Sequence, residues 1–336
     1  MKIDIFNHIF PRIYYDKMME VAPDHKDIGK RVRNVPVLVD LEARFRMMDT
    51  FDDYAQVICL CSPALEALAG PDVTPDLARA ANDGMADYVF RYPDRFPGFI
   101  ASLPMNNPEA SLEEMERAIE ELRAVGFQVF TNVNGKPLDA PEFKPLFAKM
   151  NDYGLPIWVH PARGADFPDY LTEEKSRYEI WWTFGWPYET SVMMARLVFG
   201  YFFDEFPDLK VITHHMGGMI PYFEGRVGPG WDQLGSRTSD EDYSGILKKL
   251  KKPHIEYFKG FYADTALFGS LSGTICGLDF FGADHVLFAS DSPFDPEKGP
   301  GYIRETIKVI DALPIPDEDR KKIYEGNARR LLKLDM

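Results

Sequence analysis

Six side chains in this 336-residue sequence could share one piece of chemistry: His8, His160, the doublet His214–His215, Asp264 and Asp291. Each lies in or just past a short apolar run. Imidazole nitrogens and carboxylate oxygens that converge on one point form the ligand set for zinc or a similar divalent ion. The same groups transfer protons near neutral pH. Any one of these histidines, taken alone, is as well explained as a hydrogen-bonded rim residue. Four of the chain's seven histidines and two aspartates in equivalent places are much harder to dismiss.

The elements that must position them can be read along the chain. Eight apolar runs stand out: KIDIF (2–6), AQVICLC (55–61), FPGFIASL (96–103), GFQVFTN (126–132), LPIWVH (155–160), KVITHH (210–215), GFYADTA (260–266) and HVLFASD (285–291). Several are continuously apolar, as strands buried on both faces are. Helical patterns separate them. LEARFRMMDTF (41–51) follows the first strand, and 74–93 has Thr74 as its expected cap with Pro75 at the first helical position. Segments 108–126, 140–154 and 189–207 continue the alternation, and 317–334 reads as two closing helices. Eight strand–helix units predict an α/β fold, a (β/α)8 TIM barrel of the metal-dependent hydrolase type. Its active site should lie at the C-terminal strand ends, where Asn132 closes the fourth strand. The seventh strand is the weakest element, because 216–259 is a long irregular connection. A single domain, 1–336, is expected, with candidate lid segments at 11–38 and 161–188. The second holds YEIWWTFGWPYE and with it Trp186, a candidate substrate wall, although such clusters more often build local core.

Composition narrows the function classes. With 45% hydrophobic residues the chain can bury a large core without a disulfide. Cys59, Cys61 and Cys276 are too few and wrongly spaced for a zinc ribbon and read as free thiols, which suits a cytoplasmic protein. No apolar run approaches a membrane span, and no signal peptide precedes the first strand. A formal net charge of −15 argues against nucleic acid but not against a small carboxylate, since a few arginines can set a local field.

Several stretches together resemble the amidohydrolase superfamily, in its branch containing aminocarboxymuconate semialdehyde decarboxylase and the dihydroxybenzoate decarboxylases. DIFNHIFP is similar to that branch's D-x-H-x-H-x-x-P. DLEARFRMMD, PIWVHP, ITHHMGGMIPYFEGR, VLFASDSPF and NARRLL follow in the family's order. The resemblance implies His8, His160 and Asp291 as metal ligands, with zinc first and manganese second. It implies His215, the histidine before Met-Gly-Gly, as the acid–base group, assisted by Asp291. His214 is then expected to face away, because strand neighbours alternate. Arg44 would clamp an anionic substrate group by a forked pair of hydrogen bonds. Arg226 would reach a neighbouring subunit's site, which implies a homodimer or a larger homo-oligomer.

The sequence departs from that pattern at Phe6, where the branch usually has His or Glu. Phenylalanine binds no metal. Three ligands would remain, enough for a catalytic site with open positions; Phe6 equally admits a weakened or absent ion. Three activities are compatible with these residues. The first is metal-dependent, non-oxidative decarboxylation of a small aromatic or ring-cleaved acid. The others are hydrolysis or hydration on the same scaffold, and a silent binding paralogue.

Overall fold

The computed structural model describes residues 1–25 and 32–334, so the lid segment expected at 11–38 lies in part outside the described residues. Within them, eight parallel strands follow one another in chain order: β1 Lys2–His8, β2 Tyr54–Cys59, β3 as two halves (Gly98–Phe99 and Ala101–Ser102), β4 Phe127–Phe130, β5 Pro156–His160, β6 Lys210–Thr213, β7 Tyr262–Asp264 and β8 Val286–Leu287. Each strand pairs in parallel with its sequence neighbours. The seam between first and last is closed by Ile5 N–H to the Phe288 carbonyl, Asp291 N–H to that of Phe6 and His8 N–H to that of Ser292. The result is the (β/α)8 barrel. No helix among the described residues is long and apolar enough to cross a membrane.

The helices form because the segments between strands carry a 3.6-residue apolar period and start signals. Asn107 accepts the Ala110 N–H and caps Pro108–Glu120; Asp40 does the same for Leu41–Met48 through Ala43. Thr74 is not the expected cap: it lies inside its helix, and its hydroxyl donates to Asn106 instead. The 317–334 segment is three pieces rather than two, with one wide turn at Lys322–Gly326.

Two apolar clusters hold the layers together. The larger lies between strands and helices. The smaller fills the barrel with inward positions, including Val57, Ile100, Trp158, Ile212 and Leu287, and is joined by Leu331 and Leu332 of the last helix. Phe6 belongs to this inner cluster and is fully buried.

Candidate active site

The strands deliver the expected side chains to one end of the barrel. His8 ends β1, His160 ends β5, and His214 and His215 follow β6. Asp264 ends β7 and Asp291 follows β8. All six are buried. His215 and Asp291 both sit on left-handed backbone, with φ of 54° and 62°. Non-glycine residues hold that conformation only where their surroundings enforce it, and functional sites are where it concentrates.

The four imidazoles share one hydrogen-bonding pattern. Each commits Nδ1 to an acceptor: His8 to the Leu60 carbonyl, His160 to that of Pro161, His215 to that of Ala266, and His214 to the Asp264 carboxylate at 2.5 Å. An Nδ1–H given away leaves the lone pair on Nε2, the arrangement that outer partners impose on metal-binding histidines. His8 Nε2 stands 3.0 Å from Asp291 Oδ1. His214 Nε2 is fully buried and has no partner. Burial would push Asp291 up, but the His8 hydrogen bond and the electrostatic influence of the neighbouring imidazoles outweigh it and hold the carboxyl down at about 2. Burial, helped by the neighbouring imidazoles, keeps His160 and His214 well below the ordinary histidine range, hence neutral.

His214 does not face away as expected. Ile212 points into the barrel, so His214, two residues on, points inward too. The strand ends at Thr213, and the left-handed turn at His215 then brings the second ring inward as well. Asp264 locks both residues, accepting from His214 Nδ1 and from the main-chain N–H of His215 and Ala266.

At the centre of this group is Phe6. Its ring stacks on His214 with centroids 3.2 Å apart and meets His8 edge-on at 4.5 Å. The rings of His160 and His215 lie at 5.7 and 6.2 Å. The donor chemistry suits a divalent ion: imidazoles oriented through Nδ1, two of them, His160 and His214, held neutral, an ionised carboxylate, and one orphaned buried acceptor. The spacing is looser than such an ion needs. Among the described residues no three His, Cys, Asp or Glu side chains are gathered closely enough to hold one as they stand.

Arg44 is placed differently from the sequence expectation. It is completely buried, and its donors are committed to the carbonyls of His8 and Val37, to Asn7 Oδ1 and to Gln56 Oε1. A guanidinium so committed has no fork left for a substrate. It braces the end of β1 that carries His8. Burial lowers it to about 10, so it stays charged at neutral pH.

Trp186 is buried, donates Nε1–H to the Arg163 carbonyl and stands edge-on to His160 at 5.4 Å. With Trp181, Phe130, Asn132 and Arg163 it lines a cavity of about 640 Å³. Glu66, which carries no motif, lines the same cavity. Its Oε1 is buried without a partner, and burial raises the carboxyl to about 7. A lone acidic residue in LEAL gives no sequence signal for this; only the cavity shows it. Arg226 is exposed, its guanidinium 5.8 Å from the centroid of the Phe223 ring.

Known proteins extend this picture. A family model described as amidohydrolase matches residues 42–334. A gamma-resorcylate decarboxylase of Polaromonas sp. (strain JS666 / ATCC BAA-500) is 32% identical over 313 residues, covering 89% of each chain. A 2-amino-3-carboxymuconate-6-semialdehyde decarboxylase of Dictyostelium discoideum is 28% identical over 351 residues, covering 100% of this chain and 92% of that protein. The crystal structure of a dihydroxybenzoic acid decarboxylase from Polaromonas sp. JS666, with bound manganese and the inhibitor 2-nitroresorcinol, superposes with a TM-score of 0.79 at 28% identity, covering 100% and 97% of the two chains. The chain therefore belongs to the amidohydrolase family, in the branch of the aminocarboxymuconate semialdehyde and dihydroxybenzoate decarboxylases.

Proposed function

We propose that this chain is a non-oxidative decarboxylase of small aromatic or ring-derived carboxylic acids, with a divalent ion held by His8, His160 and Asp291. One observation carries the reading: imidazoles with committed Nδ1 groups converge beside an ionised Asp291, next to a cavity walled by Trp186 and Phe130. The relatives' decarboxylase activities and the manganese in the Polaromonas structure support it, with zinc as the other candidate. When bound, the ion would act as a Lewis acid toward the substrate carboxylate and a neighbouring oxygen.

The chain's own residues do the rest. Trp186 and Phe130 give a planar ring an apolar wall, and Arg163 brings positive charge to the cavity, tempered by its 3.0 Å pair with Glu189. His215, held by the Ala266 carbonyl at Nδ1, presents Nε2 as the atom that would take up and deliver the proton. As the bond between ring carbon and carboxylate breaks, the electron pair stays on that carbon and takes the proton; carbon dioxide leaves. The nearby Asp291 carboxylate stabilises the positive charge that His215 would hold before this transfer. Arg226, exposed on the surface, is the residue we assign to a second copy's site in a homodimer.

The test is carbon dioxide release from a panel of hydroxybenzoates and muconate semialdehydes, using protein loaded with zinc or manganese. His160→Ala and Asp291→Ala should lose both metal and activity. Fully loaded wild type that releases carbon dioxide from none of them refutes the reading.

A further inference from the structure

We infer that His214 is an ion ligand in this chain, an imidazole supplied from β6 where Phe6 offers none on β1. The inference rests on the divalent ion of the proposed function and adds a donor to it.

Three independent observations point to it. First, His214 is oriented as a ligand is. Its Nδ1–H is given to the Asp264 carboxylate, and that carboxylate is fixed in turn by the main-chain N–H groups of His215 and Ala266. A carboxylate behind an imidazole sets the tautomer and aims the Nε2 lone pair. Second, that Nε2 is buried and has no hydrogen-bond partner. An acceptor sealed from water and from donors is costly, and a cation is the partner that would relieve it. Third, two of the ring spacings fall within the range one ion allows, although the group as a whole stands looser than bound ligands do. A nitrogen about 2.1 Å from an ion puts its ring centroid roughly 3.2 Å away, so two imidazoles on one ion stand about 4.5–6.4 Å apart. His8–His160 is 5.9 Å and His160–His214 is 5.8 Å.

Phe6 does not stand in the way of this donor. Its ring lies nearly parallel to His214, with 20° between the planes, and so covers a face of the imidazole. The lone pair on Nε2 lies in the plane of the ring, at its edge. The phenyl group that removes one ligand therefore props its replacement in position.

The experiment is a titration of purified protein with Mn²⁺ and with Zn²⁺ against a competing chelator. Wild type should bind one ion. His214→Asn should weaken binding by more than the roughly 10–100-fold expected when only an outer partner is lost, and Asp264→Asn should fall within that outer-partner range. His285→Asn, an imidazole outside the site, should leave affinity unchanged. Wild type needs no variant for the second measurement. In Co²⁺-loaded protein, the paramagnetically shifted imidazole N–H signals should number three. Unchanged affinity in a folded His214→Asn, or only two shifted signals, overturns the inference and leaves His8, His160 and Asp291 as the site. Wild type that is folded and binds no ion overturns both readings together.

Discussion

Replacing Phe6 by histidine separates a lost ligand from a mere core residue. Phe6 is fully buried, with the rings of His8, His214, His160 and His215 at 4.5, 3.2, 5.7 and 6.2 Å. Without metal, Phe6→His exchanges apolar burial for a polar ring, and one ring nitrogen lacks a partner. An unpaired buried group costs about 1–3 kcal/mol, and the lost apolar transfer adds about 1 kcal/mol. A total of about 3 kcal/mol is expected. Unfolding entropy of about 2.1 cal/mol/K per residue makes roughly 0.7 kcal/mol/K for a chain of this size, so Tm should fall by about 4 °C in chelator. With an ion, the introduced imidazole and His8 would share one face of β1 and meet it together. Binding roughly ten- to hundredfold tighter than wild type corresponds to about 1.4–2.7 kcal/mol, which restores about 2–4 °C. The assay is thermal melting of both proteins in chelator and in saturating Mn²⁺ or Zn²⁺, with affinities from chelator competition. Activity should drop, because the new donor takes a position that substrate needs. A variant that melts lower and binds no more tightly than wild type refutes the lost-ligand argument.

Three further outcomes follow from the geometry. His215→Asn should retain the ion and lose about 10²–10⁴-fold in turnover, measured as carbon dioxide release by metal-loaded protein. Arg44→Lys should destabilise by about 3–5 kcal/mol, since it strands buried acceptors around His8, while KM stays unchanged; a large KM rise without loss of stability would restore the substrate-clamp role. Glu66→Gln tests the cavity carboxyl. Its folded pKa of about 7 lies above the unfolded value, so the folded state binds the proton more tightly and wild type loses stability as pH rises from about 4.5 to 7. The variant should match wild type near pH 4 and exceed it by about 3 kcal/mol at pH 8 in denaturant titrations.

Much of the site is legible along the chain, because strand ends are local features. His8, His160 and Asp291 each close an apolar run, and a barrel has one rim where such ends meet. The histidine doublet misleads for a physical reason. Alternation carries through His214, whose backbone is still extended, and breaks at His215, whose left-handed turn brings the second ring inward as well. Arg44 misleads for another. A charged residue on an amphipathic helix gives no sign, in sequence, that its donors are spent on acceptors 7 to 37 residues away in the chain but adjacent in space.

The barrel, the branch and the candidate donors His8, His160 and Asp291 are legible in the chain alone, since periodicity and motif order are local properties of it. How those donors are aimed depends on the closed barrel. Nδ1 partners such as the Leu60 carbonyl and Asp264 come from other strands, and each turns the Nε2 of its imidazole toward the shared site. The same closure places Phe6 among four imidazoles, because an apolar ring on an inward position must be buried wherever the other strands leave room for it.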